Sequence, residues 1–216
     1  MRILVTGGSG VLGRVLVPLL RSDGHEVIAP RHDDLDLFDP SALQDALTDV
    51  QAVYHLATRI PPPERAAELG AWTENDRLRS EATRLLVDAA LTACASLFVL
   101  PSVTFLYPSE GPADEDTPLD NSANRLSSMV AAETEVRRFA AGGSRGAILR
   151  LGLLWGPGTG NDAPSQRYGA SLHIEDAGAA LRAALDVPGG VYNVVADGER
   201  IANGRFKAAS GWQPRF

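Results

Sequence analysis

The chain has 216 residues, the length of one domain or of one domain with a small appendage. Its hydrophobic fraction of 44% is enough for a full core, and a net charge of −7 with no basic block argues against a nucleic-acid partner. No apolar run reaches membrane-spanning length and no signal-like segment precedes the first strand, so the expectation is a mature start at Met1, no membrane and a cytoplasmic location; the lone Cys94 offers neither an intrachain disulfide nor a cysteine metal cluster.

Ile3, Leu4 and Val5 predict a short buried strand. Gly7, Gly10 and Gly13 follow at spacing G-x-x-G-x-x-G. Val11, Leu12, Val15, Leu16, Leu19 and Leu20 then recur at helical spacing. Strand, glycine turn and helix in that order suit a dinucleotide: the glycines permit the tight turn, the approach of backbone amides to a pyrophosphate and close packing of helix on strand. The phosphates then meet the positive end of the helix. Candidate contacts here are Gly7, Ser9, Gly10, Val11, Leu12, Gly13 and Arg14.

Residues 25–29 predict a second strand, and residues 40–48 a helix capped by Asp39 before Pro40. Residues 52–56 predict a third strand, 73–94 a long helix, and 97–100 a fourth strand. A helix over 126–141 and a strand over 147–151 come next. A polar segment at 159–171, a helix at 176–186, a strand at 191–195 and a short tail close the chain. This alternation implies a parallel sheet covered on both faces. The loops at 59–70, with Pro61, Pro62 and Pro63, and at 108–124 fall after strand ends, where ligand crevices form.

Thr-Gly-Gly-Ser-Gly-Val-Leu-Gly at 6–13 resembles the glycine turn of extended short-chain dehydrogenases/reductases, the NAD-dependent epimerase/dehydratase family. Val-Tyr-His-Leu-Ala-Thr at 53–58 resembles the strand that passes the cofactor, which adds Leu56, Ala57 and Thr58 to the candidate contacts. Asn75 resembles the asparagine that opens the long helix and joins the candidate cofactor contacts. Arg150 to Gly158 resembles the family's Arg-x-x-x-x-Tyr-Gly-Pro-Gly with Trp155 for the tyrosine, and residues 173–176 and 211–216 resemble its closing segments. The resemblance implies a Rossmann-type doubly wound parallel α/β sheet. It divides the chain into a nicotinamide-dinucleotide domain at 1–158 and a reduced substrate lobe at 159–216, in one compact unit. The shortness of the segment between Gly158 and Leu172 favours a compact substrate over a sugar nucleotide. Family dimers pair through the helices that fall here at 73–94 and 126–141.

The family's proton donor is a Tyr-x-x-x-Lys pair in which the lysine lowers the phenol's pKa. Register from both sides places Val103 on the family's catalytic serine next to Ser102, Arg125 on the tyrosine and Met129 on the lysine. No Tyr-x-x-x-Lys occurs anywhere: Tyr54, Tyr107, Tyr168 and Tyr192 are followed four residues on by Thr58, Gly111, Leu172 and Ala196, and the single lysine is Lys207. Arg125 cannot serve as an acid but can clamp a carboxylate or phosphate. The remaining candidates for catalysis are Ser102, Tyr107, His173 and loop carboxylates at Glu115 or Asp116. His55 and His173 read more readily as hydrogen-bonded residues than as acids.

At the end of the second strand, Ala29 and Pro30 cannot accept a bond from a ribose hydroxyl, whereas Arg31 and Arg14 suit a 2′-phosphate. The cofactor expectation is therefore NADP, with NAD open through Asp33 or Asp34; Asp36 and Leu37 resemble the segment bordering the adenine. Three functions follow: an atypical NAD(P)-dependent enzyme on a small carbonyl- or hydroxyl-bearing substrate, a non-redox isomerase, lyase or cyclase on the same fold, and an inactive module that reports the NADP state.

Overall fold

A computed structural model describes residues 1–120 and 126–216. Six strands, β1 (Arg2–Thr6), β2 (Glu26–Ile28), β3 (Ala52–His55), β4 (Leu97–Val103), β5 (Arg145–Leu151) and β8 (Gly190–Val194), pair in the order β2-β1-β3-β4-β5-β8. Every pairing is parallel, with Leu4 beside Val53, Val53 beside Phe98 and Leu149 beside Tyr192. The order turns around between β1 and β3, so a crevice opens at their C-terminal ends. A second, two-stranded parallel sheet joins β6 (Leu153–Trp155) to β7 (Ser171–His173).

The strands are apolar on both faces, as a sheet covered twice requires. Ile3, Val5, Tyr54, Val99 and Leu149 point to one side and pack on α1 (Val11–Ser22) and α6 (Ile174–Ala183) through Leu16, Leu20, Ala177 and Leu181. Their neighbours Leu4, Val53, Phe98, Leu100 and Ile148 point to the other, against Leu43 of α2 (Pro40–Ala46), Leu86 and Ala90 of α4 (Thr83–Thr92) and Val136 and Phe139 of α5 (Ser127–Ala141). As expected, Asp39 caps α2: its Oδ1 accepts from the amides of Ser41 and Ala42 at 2.8 and 3.3 Å.

Three segments differ from the sequence expectation, the first being the β6–β7 sheet, which forms where no strand was expected. The long helix is α3 (Thr73–Arg77), a π-helical turn at Leu78–Ala82 and α4 in succession. A hydrophobic repeat read over the whole stretch averages over one wide turn. The closing tail forms a further helix, α7 (Gly204–Ser210), which ends at Gly211 with φ +70°. Phe206 is its one buried residue, too few to announce a helix by periodicity. The residues beyond it are tied to the start of α6, where Asp176 accepts from the amides of Arg215 and Phe216 through Oδ2 and from Trp212 Nε1 through its carbonyl.

Helices α1 and α6 lie side by side because Gly178 has no side chain: a Cβ there would sit 2.3 Å from Cγ1 of Val15. Valine is stiff at χ1, so the helices would have to part. Gly178→Ala should therefore destabilise the protein by about 1–3 kcal/mol, read as a lower urea midpoint at unchanged slope; an unchanged or higher midpoint would show that the two helices separate freely.

Candidate functional site

The glycine turn is built by steric necessity. Gly7 has φ +70°, and a Cβ on it would stand 2.6 Å from the amide nitrogen of Ala57, just beyond β3. A Cβ on Gly13 would stand 2.5 Å from the Gly7 carbonyl oxygen, which already accepts from the Gly10 amide at 2.9 Å. Gly10 precedes α1 in an extended conformation, with no side-chain cap behind it and no acidic residue in the first turn. The amides of Val11 and Leu12 consequently have no partner among the described residues, while Arg14 N–H closes the first helical bond onto Gly10. Ser9 and Arg14 are exposed beside this turn, and Arg14 extends toward Gly158.

The end of β2 lies against the turn: a Cβ on Gly8 would meet Cβ of Ala29 at 2.8 Å. Beyond it the nearby acids are engaged. Asp34 accepts from the Arg31 amide at 3.1 Å, Asp33 pairs with His32 at 2.8 Å, and Asp36 accepts from the Phe38 amide at 2.8 Å. The Arg31 side chain is exposed and makes no polar contact with a described residue, and Leu37 is half-buried against the α2–α4 core.

At the neighbouring strand, Leu56 is buried and Thr58 exposed on either side of Ala57. His55, the last residue of β3, is enclosed. Its Nδ1 meets Thr6 Oγ1 at 2.7 Å and its Nε2 meets the Leu78 carbonyl at 3.1 Å. The carbonyl can only accept, so Nε2 carries the proton and Nδ1 accepts from the threonine hydroxyl. Burial lowers the imidazole pKa to about 4, with the bond to Leu78 pulling the other way. Asn75, fully buried, accepts from the Arg59 amide at 3.0 Å through Oδ1. No motif announced the bridge from His55 to Leu78, because it depends on the π-helical turn.

Of the candidates for proton transfer, Ser102, Tyr107 and Glu115 fall into a buried polar cluster, Asp116 lies exposed beside it, and His173 stands apart. Ser102 Oγ donates to Glu133 at 2.7 Å. Glu133 is gripped at both oxygens by Arg150, at 2.9 and 2.7 Å. Burial by itself would raise the Glu133 pKa, but the Arg150 bonds and charge hold it below the usual carboxylate value. Arg150 also donates to the Tyr107 hydroxyl at 2.8 Å, and that hydroxyl donates to Asn193 Oδ1 at 2.8 Å. Burial pushes the Tyr107 phenol above its ordinary range, against the pull of Arg150. The cluster ends at Glu115, which accepts from the Asn193 amide at 2.8 Å and pairs with Arg205; Asp116 pairs with the same arginine. Met129 is buried in the core, and Arg125 lies outside the described residues. His173 caps α6, accepting weakly from the Glu175 amide at 3.4 Å, and its ring lies between Trp155 and Phe216.

The small sheet borders a cavity of about 330 Å³ whose walls include Trp155, Gln166, Glu199 and Phe216. That is the low end of ligand-pocket size and suits a compact molecule. Among the described residues no group of three or more His, Cys, Asp or Glu could hold a metal ion, and no helix is long and apolar enough to cross a membrane.

Comparison with known proteins gives this geometry a context. The model of the NAD dependent epimerase/dehydratase family matches residues 3–174. The chain is 34% identical over 250 residues to the 3-diazoavenalumate denitrifying reductase of a Streptomyces species, covering 100% of this chain and 80% of that protein. It is 31% identical over 182 residues to the 2-alkyl-3-oxoalkanoate reductase of Stenotrophomonas maltophilia, covering 73% of this chain and 52% of that one. Among solved structures, UDP-N-acetylglucosamine 4-epimerase from Bacillus cereus superposes with a TM-score of 0.81 at 20% identity, covering 100% of this chain and 94% of that one. RMD from Pseudomonas aeruginosa complexed with NADPH gives 0.79 at 20% identity with the same coverage. At that identity the structural likenesses establish the shared Rossmann fold.

The buried His55 makes stability depend on pH. Unfolded, the imidazole binds a proton below pH 6.5; folded, it resists until about pH 4. Its share of stability is thus complete above pH 6.5 and lost as pH falls toward 4, at up to about 1.4 kcal/mol per pH unit and about 3 kcal/mol in all. Urea midpoints measured across that window should fall more steeply for the wild-type chain than for His55→Gln. Parallel pH profiles would mean that the ring is protonated in the folded state.

Proposed function

The chain belongs to the NAD dependent epimerase/dehydratase family, and on that premise we propose that it is an NADPH-dependent reductase of a small, carboxylate-bearing electrophile. The observation that carries the cofactor half is the uncapped start of α1. Its amides at Val11 and Leu12 lack acceptors, and Gly7 and Gly13 leave no room for side chains. A pyrophosphate fits that cradle. Gly7, Ser9, Gly10, Val11, Leu12 and Gly13 would hold it, with Leu56, Ala57 and Thr58 along its flank. Arg31 and Arg14 would meet the 2′-phosphate of NADP, because the exposed Arg31 side chain has no polar partner among the described residues and Ala29 and Pro30 beside it offer a ribose hydroxyl no side-chain acceptor. When bound, the reduced nicotinamide supplies a hydride.

The substrate half rests on the buried cluster. Reduction of a carbonyl leaves an alkoxide that needs a proton in the site. Tyr107, Ser102 and Glu133 are locked to one another through Arg150 and offer no exposed acid, and His173 serves as a helix cap. A substrate that loses a neutral leaving group needs no such donor. Replacing an aryl diazonium group by hydrogen forms a C–H bond while the C–N electron pair departs with N₂, and no proton is consumed. The name of the Streptomyces relative describes reduction of a diazo compound with loss of nitrogen, and a reaction of that kind is assigned to this chain. Electrostatic positioning supplies what catalysis the protein adds. Pairing of two chains through α3–α4 and α5 is part of the proposal; sedimentation should return the mass of two chains, and a single-chain mass at every concentration would remove it.

The test is NADPH consumption, corrected for the reaction without protein, with a diazonium-bearing benzoate and with the matching acetylbenzoate. Turnover with N₂ release for the first and none for the second is expected. Turnover of the ketone alone would reverse the substrate assignment, and absence of nucleotide binding would remove the reductase reading. Gly10→Val should abolish NADPH binding without unfolding the chain. Arg31→Asp should cost about tenfold in NADPH affinity and leave NADH binding unharmed, the loss of one charge-assisted contact.

A further inference from the structure

Two donor side chains on one face of the helix after β3 have no acceptor. Asn75 spends its Oδ1 on the Arg59 amide, but its Nδ2 is enclosed and unpartnered. One turn later Arg79 is only 8% exposed, its Nε is enclosed, and its guanidinium makes no hydrogen bond or ion pair with a described residue. Arg150 shows what a buried arginine ordinarily requires: it is saturated by Glu133 and Tyr107. An enclosed donor left without an acceptor costs free energy; Trp155 Nε1 and Asn193 Nδ2 are also in that state, but Asn75 Nδ2 and Arg79 Nε stand four residues apart on one helical stretch. The carboxylate that acts on Arg79 electrostatically, Asp76, lies beyond ion-pair reach and accepts from Ser128 Oγ at 2.7 Å.

Placement tells what is missing. Positions four apart share a helix face, and helical side chains lean toward the helix N-terminus, so the Arg79 stem leads back over the turn of Asn75. That turn borders the crevice: Asn75 holds Arg59 on the loop leaving β3, and the Leu78 carbonyl beside Arg79 is held by His55 at the end of β3. The intervening π-helical turn is of a kind found frequently at functional sites. Both orphans donate, so the absent partner accepts; a guanidinium selects an oxyanion, and a planar carboxylate matches its fork. The pyrophosphate has its own donors at the start of α1.

We propose that Asn75 and Arg79 form a carboxylate-binding pair that anchors the substrate in the crevice. The location of the substrate rests on the reductase reading; the unpaired donors do not. The test uses the whole chain, with and without bound NADP, titrated calorimetrically with benzoate and with benzamide, its neutral isostere, at fixed ionic strength. The wild-type chain should prefer benzoate. Arg79→Met should weaken benzoate by about tenfold or more, the worth of one charge-assisted pair, and leave benzamide and NADP unchanged, while Arg79→Lys should restore part of the loss. No benzoate preference in the wild type, equal benzoate affinity in Arg79→Met, or a loss confined to NADP would each overturn the pair, the last by assigning the guanidinium to the nucleotide. If Arg79→Met does not fold, Arg79→Lys carries the same comparison: several-fold weaker benzoate supports the pair and equal affinity overturns it. Failure of NADP to bind the wild-type chain would count against the reductase reading alone, since the benzoate titration of the bare chain still decides the pair.

Discussion

The contact on which the site depends is the approach of the Gly7 backbone to Ala57. A hydrogen at Gly7 is the largest group that fits between the first turn and the exit of β3. Because β1 and β3 are adjacent strands, that contact sits where the strand order reverses. It brings the start of α1 to the sheet edge with amides unspent and Gly13 folded down on the turn. A side chain at either glycine would push the helix away and remove the anion site together with the packing beneath it.

A second layer lies deeper. Thr6, His55 and Leu78 link the ends of β1 and β3 to the π-helical turn. This chain of bonds holds a neutral imidazole where solvent cannot reach, and it fixes the turn that carries Arg79. On the other side of the crevice, Glu133 and Arg150 join α5 to β5, and Ser102, Tyr107 and Asn193 close the network around them. Removing one member of such a pair strands a charge at a cost of about 3–5 kcal/mol. The cluster therefore acts as a rigid wall, and its phenol is spoken for by an arginine and an asparagine.

These two layers bear on chemistry together. The cradle at α1 asks for a dinucleotide phosphate, and the cluster withholds a proton donor. Three of the four tyrosines are spent on other bonds: Tyr54 donates to the Leu181 carbonyl, Tyr192 to that of Pro188, and Tyr107 to Asn193, while the exposed Tyr168 packs its ring on Phe105. Hydride transfer to an electrophile that relieves its own charge is compatible with both facts.

The sequence by itself determined the strands of the main sheet, their parallel pairing and the glycine turn, but not β6, β7, the π-helical turn or α7; the former follow from local signals: apolar runs of strand length, helical repeats, the Asp39 cap and glycines at fixed spacing. The absence of Tyr-x-x-x-Lys was also legible, being a statement about residue types alone. Tertiary structure alone decided which polar groups are satisfied. The grip of Arg150 on Glu133 spans 17 residues, that of Tyr107 on Asn193 spans 86, and the bond from His55 to Leu78 runs through a widened turn that no periodicity betrays. Whether a buried donor has an acceptor depends on which distant carbonyl or carboxylate the fold delivers to it. So Glu133 and Arg150 emerge as a spent pair, and Asn75 and Arg79 as donors still unpaired, only once the chain has closed on itself.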